Sequence, residues 1–300
     1  MGNCSSKAQV APPQANPGKE GDSLQPHILS ADSPKTSITS SFESVSEEKN
    51  QVSNSSKPEI IPRKLLLKAP VTSEKYEVIL WGMQPSANSS VIRAFLALSG
   101  ITFKEEEAWG RTRTPEYIEK FPSNLSPAIE CQGKYIFECV AIMKFLCRTY
   151  PKQCGRFYPE SDIQKLTTID WLCDYITMGI LLQLPKAVYP TLRFDSNPGD
   201  VASLQSTKPF TKMSQEEACN YILDTLNSKY VGVFLGNSKY LLSDYPTIAD
   251  YRFAPMINFI KVGCVIPERL QKYYDDMTRL PGFVKACQPV VDFASPHWKK

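Results

Sequence analysis

Residues 126–142 read SPAIECQGKYIFECVAI, and this stretch is the most informative one for the fold. Two short apolar segments, 126–131 and 134–137, predict strands on either side of Gln132-Gly133. A glycine in so short a connection is typical of a tight hairpin turn. The residues that follow predict a helix over 138–149. The stretch therefore predicts an antiparallel hairpin that leads directly into a helix.

The residues before the hairpin predict alternating strands and helices. The segment 76–81, Tyr-Glu-Val-Ile-Leu-Trp, predicts a buried strand, and 101–108 predicts another, whose three glutamates mark an exposed edge or a strand end. The helix between them has Gly100 as its C-cap. Its three candidate N-caps are Asn88, Ser89 and Ser90.

A short helix then begins at Thr114, with Pro115 as its first residue. The first half of the folded chain is thus β-α-β-α-β-β-α, with a parallel start and an antiparallel end. The second half predicts helices only. Apolar residues at helical spacing predict one long helix that ends near Pro185 (Ile169, Leu172, Ile176, Ile180).

After a loop predicted over 192–213, four more helices are expected, over 215–230, 247–260, 267–280 and 282–293. The second of these begins with a variant of the capping box, in which Asp250 follows Thr247 at the spacing that glutamate usually takes.

Composition separates a tail from the folded chain. The first 60 residues contain 13 Ser, 6 Pro, nine Leu, Ile, Val or Phe, and one aromatic residue, Phe42. A segment with so few apolar side chains cannot offset the entropy lost on ordering. We therefore predict a disordered tail over 1–70, an α/β domain over 71–155 and an all-helical domain over 156–300.

Composition also excludes several classes of function. The 34 Lys and Arg nearly balance the 31 Asp and Glu, and a net charge of +3 is too small for a nucleic-acid footprint. No run approaches the ~18 apolar residues of a membrane span. The chain has two histidines, His27 and His297, and nine cysteines without a Cys-x-x-Cys pair. We therefore expect no metal site, no Ser-His-Asp triad and no disulfide framework.

The first seven residues, Met-Gly-Asn-Cys-Ser-Ser-Lys, fit the N-myristoylation pattern, with Gly2 exposed once Met1 is removed and Ser6 at the required spacing. One myristoyl chain binds membranes only marginally, and a palmitoyl chain on Cys4 would make the attachment stable. This pattern predicts a lipid anchor at the cytoplasmic face of a membrane, with the plasma membrane as the expected location. A chance Met-Gly start on a disordered tail is the alternative interpretation.

The order of elements and three motifs resemble the cytosolic glutathione transferases over about residues 76–295. The stretch 114–127 is similar to the family's segment that ends in a cis-proline, 138–142 to its Glu-Ser-x-Ala-Ile signature, and 247–250 to the cap of its central helix. The resemblance implies a thioredoxin-like α/β domain followed by an all-α domain. It also implies glutathione as co-substrate, a small hydrophobic electrophile as second substrate, and a homodimer.

The resemblance places the catalytic hydroxyl just before the first helix. Counting back without gaps from the end of that helix, the serine- and cysteine-type position falls on Ser86, and the tyrosine-type position falls on Gly82. Ser86 then matches the theta- and delta-like members, in which the hydroxyl stabilises the glutathione thiolate. Asn88 stands where these members have proline. Ser89 and Ser90 are the alternatives if the turn is shifted, and a plain turn or cap serine is the other interpretation.

The resemblance also implies residues that bind the rest of glutathione. Ser126 would pair its backbone with the cysteinyl part, ahead of a cis bond to Pro127, while Glu138 and Cys139 would hold the γ-glutamyl end. Cys139 replaces the family's serine, and a thiol is a weaker donor than a hydroxyl. Leu125 stands where members often have a polar side chain.

Two functions follow from these positions. The first is a glutathione transferase that conjugates or reduces small electrophiles at a membrane surface. The second is a non-catalytic module of the same fold, anchored to a membrane for binding or scaffolding. The retained Ser86, Pro127 and Glu138 favour the enzyme, whereas the altered Cys139 and Leu125 favour the module.

Overall fold

The computed structural model describes residues 76–193 and 213–300. The tail predicted over 1–70, with Gly2 and Cys4, lies outside the described residues, as does most of the loop predicted over 192–213. The boundary between 155 and 156 remains a prediction. Within the described ranges, no helix is both long and apolar enough to cross a bilayer.

Four strands form one mixed sheet in the order β2-β1-β3-β4. They are β1 Val78–Gly82, β2 Phe103–Glu107, β3 Ala128–Cys131 and β4 Lys134–Phe137. Strand β1 pairs in parallel with β2 and antiparallel with β3, and β3 pairs antiparallel with β4. This arrangement confirms the predicted parallel start and antiparallel hairpin. The three glutamates of β2 lie on an edge strand, as the sequence predicts.

The hairpin turn has the backbone that its sequence predicts. Gln132 and Gly133 both have positive φ, 47° and 72°, as two-residue turns of type I′ require. Strand β3 begins at Ala128 rather than at residue 126, because Pro127 has no N–H to donate to the ladder. The peptide bond between Ser126 and Pro127 is cis.

Helix α1 spans Ala87–Ser99 and ends at Gly100 with φ of 66°, which confirms the predicted C-cap. Its N-cap is Ser86, whose hydroxyl accepts an N–H of the first turn. The helix begins earlier than predicted because this hydroxyl satisfies a donor that would otherwise lack a partner. The three residues predicted for the role are therefore wrong: Asn88, Ser89 and Ser90.

Helix α2 spans Pro115–Lys120 behind Thr114, whose hydroxyl accepts the N–H of Tyr117, and this confirms its predicted start. Helix α3 spans Cys139–Thr149. The prediction that it begins at Glu138 is wrong by one residue, because Glu138 has a φ of 70°, outside the helical region. Two short elements follow, α4 Pro151–Cys154 and a 3-10 turn over Gly155–Phe157.

The single long helix predicted to end near Pro185 is wrong. Two helices occupy this region, α5 Ile163–Met178 and α6 Ile180–Leu192, and Pro185 lies inside the second. They are separated at Gly179, where a Cβ would approach the carbonyl oxygen of Tyr175 to 2.8 Å. Only glycine accommodates so close a backbone approach, which lets the helix be interrupted there.

The remaining helices lie near their predicted positions, although two of those predicted as continuous are divided. They are α7 Gln215–Thr225, a π-helix Leu226–Leu235, α8 Ile248–Phe253, a 3-10 turn Ala254–Met256, α9 Ile257–Gly263, α10 Glu268–Thr278, α11 Phe283–Ala294 and a 3-10 turn Ser295–His297. Thr247 and Asp250 form the predicted capping box, with both reciprocal bonds present.

Helix α1 contacts both the sheet domain and the helical part. It packs against α3, α8 and α11. The ring of Phe95 meets the rings of Phe157 and Tyr251 edge-on, with centroids 5.9 and 5.5 Å apart. One hydrophobic core thus continues from the sheet into the helices, and the start of α1 is held where the two parts meet.

Candidate functional site

The Ser86 hydroxyl lies at the N-terminus of α1 and is half-buried. It accepts the N–H of Ser89 at 3.2 Å, and the described residues provide no acceptor for its own proton. A hydroxyl has one donor and two acceptor positions, so Ser86 keeps its proton for an outside partner. The first turn of α1 contains no acidic residue, and its N–H groups carry partial positive charge. The position therefore favours an anion.

Ser89 and Ser90, the alternatives to Ser86, are both fully buried. The Ser89 hydroxyl accepts the N–H of Met83 at 3.0 Å, and its oxygen lies 3.4 Å from that of Ser126. The Ser90 hydroxyl donates to the carbonyl of Ser86 at 3.2 Å. Both hydroxyls are engaged inside the protein, and of the three only Ser86 retains access to solvent.

Arg93, which belongs to none of the sequence motifs, holds the turn that leads to Ser86. Its Nη2 donates to the carbonyl of Met83 at 2.7 Å, and its Nη1 to the carbonyl of Gln84 at 3.3 Å. Nη2 also pairs with the carboxylate of Glu105 on β2 at 2.6 Å. Two sequence features indicate this ion pair: the arginine lies within the apolar part of α1, and β2 contains a run of glutamates.

The turn at Ser126 and Pro127 lies beside the start of α1. The Ser126 hydroxyl donates to the carbonyl of Trp81 at 3.1 Å, besides its contact with Ser89. In the described chain, neither the N–H nor the carbonyl of Ser126 pairs with another backbone group. Unpaired backbone groups of this kind let an extended peptide add as a further strand. The fold thus brings Ser126 and the Ser86 turn together.

Cys139 is the first residue of α3, and its thiol is buried. The Sγ donates to the carbonyl of Asn88 at 3.6 Å, and burial raises the pKa of this thiol to about 11. The thiol is therefore neutral at pH 7 and bound to α1. The exposed Glu138 precedes it, and no side chain caps α3. The first N–H groups of α3 thus remain available for an anion.

Arg252 on α8 contacts the same end of α1 and likewise belongs to none of the sequence motifs. Its Nη1 donates to Oδ1 of Asn88 at 2.8 Å, and its Nε donates to Oγ1 of Thr177 on α5 at 3.4 Å. Arg252 is only 7% exposed. Asn88 is thereby bonded to both Cys139 and Arg252. The sequence predicts the capped helix that carries Arg252. Nothing in the sequence indicates that this arginine contacts α1.

Leu125 is 39% exposed, and its carbonyl accepts the hydroxyl of Tyr117 at 2.8 Å. Its side chain offers no hydrogen bond to a ligand carboxylate. Within the described ranges, no group of three or more His, Cys, Asp or Glu residues could hold a metal ion. The cysteines of these ranges carry free thiols.

One part of the chain matches a known family model. Residues 76–148 match the family model described as glutathione S-transferase, N-terminal domain. Among curated proteins, no sequence matches the chain.

Solved structures of glutathione transferases resemble the described structure. An epsilon-class glutathione S-transferase from the housefly Musca domestica superposes with a TM-score of 0.61 at 20% identity, over 73% of this chain and 98% of its own. The theta-class glutathione S-transferase from the citrus canker pathogen Xanthomonas axonopodis pv. citri, with glutathione bound, gives 0.57 at 18% identity over 72% and 99%. A delta-class glutathione transferase from Nilaparvata lugens gives 0.55 at 20% identity over 73% and 99%. Residues 76–148 thus match the glutathione S-transferase N-terminal domain, and the chain has the fold of the glutathione transferases.

Proposed function

We propose that the protein is a serine-type glutathione transferase, which conjugates or reduces small electrophiles with the thiolate of glutathione. The observation that carries this proposal is the Ser86 hydroxyl at the start of α1, which accepts the N–H of Ser89 and keeps its own proton for a ligand. The family match over residues 76–148 supports it.

The chemistry required at Ser86 is stabilisation of a thiolate. A free thiol has a pKa of about 8.5, so only a few per cent of it is ionised at pH 7. A hydroxyl that donates to the sulfur and a helix N-terminus beside it both favour the thiolate. The thiol proton passes to solvent, the sulfur lone pair attacks the electrophilic carbon, a C–S bond forms, and the leaving group departs with its bonding electrons. Ser86 acts throughout as a hydrogen-bond donor.

The rest of the tripeptide would be aligned by the turns around α1. The unpaired N–H and carbonyl of Ser126 suit the cysteinyl backbone of glutathione, and Pro127 follows in the cis form. The Glu138 carboxylate suits the γ-glutamyl ammonium, and the first N–H groups of α3 suit the γ-glutamyl carboxylate. Cys139 would contribute its backbone only, because its thiol is bonded to Asn88.

A non-catalytic module is the second candidate, and two observations favour it. The Cys139 thiol is buried and engaged with α1, and Leu125 presents an apolar side chain. Each missing donor costs about 1 kcal/mol, and two weaken binding roughly thirtyfold. Such a loss reduces affinity for glutathione without removing the site, which is why the transferase stands first.

The proposal extends to the location and assembly of the protein. The pattern of residues 1–7 supports a myristoyl group on Gly2 and a palmitoyl group on Cys4, which would hold the protein at the cytoplasmic face of a membrane. The resemblance to the family supports a homodimer and a small hydrophobic electrophile as the second substrate.

Retention of the full-length protein on immobilised glutathione, with elution by free glutathione, tests the binding step. Turnover of a chloronitroaromatic electrophile, measured across pH, tests the chemical step. The transferase is expected to show both, and both are expected to weaken in Glu138→Gln. Retention without turnover of several electrophiles would support the module instead. If the correctly folded, unmutated protein shows neither retention nor turnover, the transferase proposal is contradicted.

A further inference from the structure

Arg252 is a buried cation without a carboxylate partner among the described residues. It is 7% exposed, and the ion pairs of these residues do not include it. Its hydrogen bonds go to two neutral oxygens, on Asn88 and Thr177, although a guanidinium carries five N–H donors. A charge removed from water is costly unless an anion accompanies it. A bound anion would supply that missing charge.

The Tyr230 hydroxyl is a second buried donor without a partner in the described structure. Tyr230 is fully buried, and its hydroxyl makes no hydrogen bond, although buried tyrosine hydroxyls usually find a partner. Its ring stacks on Phe253, the neighbour of Arg252 in sequence, with centroids 4.2 Å apart. Burial raises the pKa of Tyr230 well above its usual value, and the nearby Arg252 charge opposes that rise. A guanidinium and a phenol hydroxyl are together suited to one carboxylate.

The hydrogen-bond partners of Arg252 add no negative charge. Arg252 also acts on the thiols of Cys139 and Cys173, and burial raises their pKa values to about 11 and about 12, so both are neutral at pH 7. The first turn of α1 contains no acidic residue, and its amide groups contribute partial positive charge. The carboxylates that act on the same two thiols, Glu138 on Cys139 and Asp170 and Asp174 on Cys173, form no ion pair with Arg252. The groups bonded to Arg252 thus leave its charge without a direct partner.

We propose that Arg252 and Tyr230 form a subsite for a carboxylate carried by the electrophilic substrate. This inference rests on the proposed transferase function. Both residues belong to the helical part, whereas the residues proposed to hold glutathione precede it in the chain. Arg252 also bonds to Asn88, two residues after Ser86, so the subsite lies at the helix end where the thiolate is expected. The preferred acceptors are apolar electrophiles that bear a carboxylate.

The test compares two acceptors that differ only in charge, 4-chloro-3,5-dinitrobenzoate and 4-chloro-3,5-dinitrobenzamide. In both, the glutathione thiol loses its proton to the buffer, its sulfur bonds to the ring carbon, and chloride leaves with the bonding pair. Each kcat/KM is divided by the rate constant with free glutathione in buffer. The unmutated protein is expected to favour the benzoate by about tenfold or more, as for one charge-assisted hydrogen bond. Arg252→Met should abolish this preference.

Tyr230→Phe provides a second variant in case Arg252→Met fails to fold. It removes only a hydroxyl that has no partner to lose, and it should lower the benzoate preference severalfold. The double variant should lose no more than Arg252→Met alone, because both groups act on the same carboxylate. Arg148→Met is the matched control, since Arg148 is an exposed arginine paired with Glu160. It should keep the full preference.

Calorimetric binding of the unreactive 3,5-dinitrobenzoate and 3,5-dinitrobenzamide separates this inference from the transferase proposal. If the protein turns over no electrophile but binds the benzoate in an Arg252-dependent manner, the transferase proposal fails and the subsite stands. Equal use of both acceptors by the unmutated protein would overturn the subsite. So would a preference that survives both Arg252→Met and Tyr230→Phe. If Arg252→Met raises only the KM for glutathione, the arginine serves glutathione and the subsite is likewise overturned.

Discussion

The hydroxyl oxygens of Ser89 and Ser126 lie 3.4 Å apart, and this contact joins the start of α1 to the turn before β3. Ser89 also accepts the N–H of Met83 at 3.0 Å, and Ser126 donates to the carbonyl of Trp81 at 3.1 Å. The two hydroxyls bind both turns into one unit. The spacing between Ser86 and the Ser126 backbone, on which the proposed glutathione site depends, therefore rests on this partly buried pair.

Ser89→Ala should loosen that unit. The N–H of Met83 would lose its acceptor. A buried donor left unsatisfied costs about 1–3 kcal/mol, and the lower end applies because Met83 is only partly buried. Because Ser89 positions the turns, we expect the KM for glutathione to rise more than kcat falls. Urea unfolding and steady-state kinetics measure the two effects. Ser228→Ala, at an exposed helical serine, is the control, and a Ser89→Ala protein as stable and as active as that control would contradict the prediction.

Glu105→Gln should destabilise the fold by about 3 kcal/mol. Its carboxylate is the partner of Arg93, whose side chain is only 5% exposed, and removal of one member of a buried pair costs about 3–5 kcal/mol. The lower end applies because the Glu105 side chain keeps 20% exposure. Glu106→Gln breaks an exposed pair with Lys104 and should cost less than about 1 kcal/mol. Urea unfolding measures both variants. An equal loss in free energy of unfolding would show that the buried pair stabilises the fold no more than the exposed pair does.

The buried carboxyl of Asp250 should make the free energy of unfolding depend on pH between about pH 4 and pH 6. Burial raises its pKa from 3.8 to about 6, although N–H groups of Leu241 and Thr247 donate to it. In this interval the folded protein binds the proton more tightly than the unfolded chain does. Its contribution is therefore present below pH 4 and is lost as pH rises through 6.

The measurement is the free energy of unfolding across this range for the unmutated protein and Asp250→Asn. The difference between them should fall by about 3 kcal/mol from pH 4 to above pH 6, at 1.36 kcal/mol per pKa unit. Asp244→Asn, at an exposed aspartate, should show no such slope. A difference that is flat or that rises with pH would contradict the buried carboxyl's role.

Gly2→Ala should move the full-length protein from the membrane to the soluble fraction, because the myristoyl acceptor is lost. Cys4→Ser should leave a weak, reversible attachment, as a single acyl chain gives. Fractionation of cells that express each variant measures this, with Asn3→Gln as the neutral control. The anchor is wrong if Gly2→Ala and the unmutated protein partition identically.

Short-range chemistry made much of the fold predictable. The cap at Gly100, the cap at Thr114 and the turn at Gln132 and Gly133 each depend on one or two residues, and the structure confirms all three. The break at Gly179 could not be read from periodicity, since apolar spacing continues on both sides of it. It follows from a close approach between the backbone of Tyr175 and position 179.

Some residues of the candidate site could likewise be predicted from the sequence, and others could not. Ser86, Ser126 and Glu138 were implied by the resemblance of the first half of the folded chain to the glutathione transferases, and their roles stay predictions. Arg93 could have been suspected, because it interrupts the apolar part of α1 and the glutamates of β2 offer it a partner. Nothing in the sequence marks Arg252 as buried. The partner of Arg252, Asn88, is 164 residues away, so only the packing of α8 against α1 shows the contact.

Ser86→Ala tests the proposed chemistry itself. It removes one charge-assisted hydrogen bond, worth about 1.5–3 kcal/mol, and turnover at pH 7 should fall roughly tenfold or more. Glutathione binding should change much less, because the proposed contacts of Ser126 and Glu138 with the tripeptide backbone are retained. Thr114→Ala removes the cap of α2 as Ser86→Ala removes that of α1, at about 1 kcal/mol. It therefore controls for the stability lost with a cap.

The most direct test is the pKa of the glutathione thiol bound to the unmutated protein and to Ser86→Ala, followed by the ultraviolet absorbance of the thiolate as pH is raised. We expect the bound thiol's pKa to lie below the free value of about 8.5 in the unmutated protein, and about one to two units higher in Ser86→Ala. Equal pKa values in the two proteins would contradict the role of Ser86.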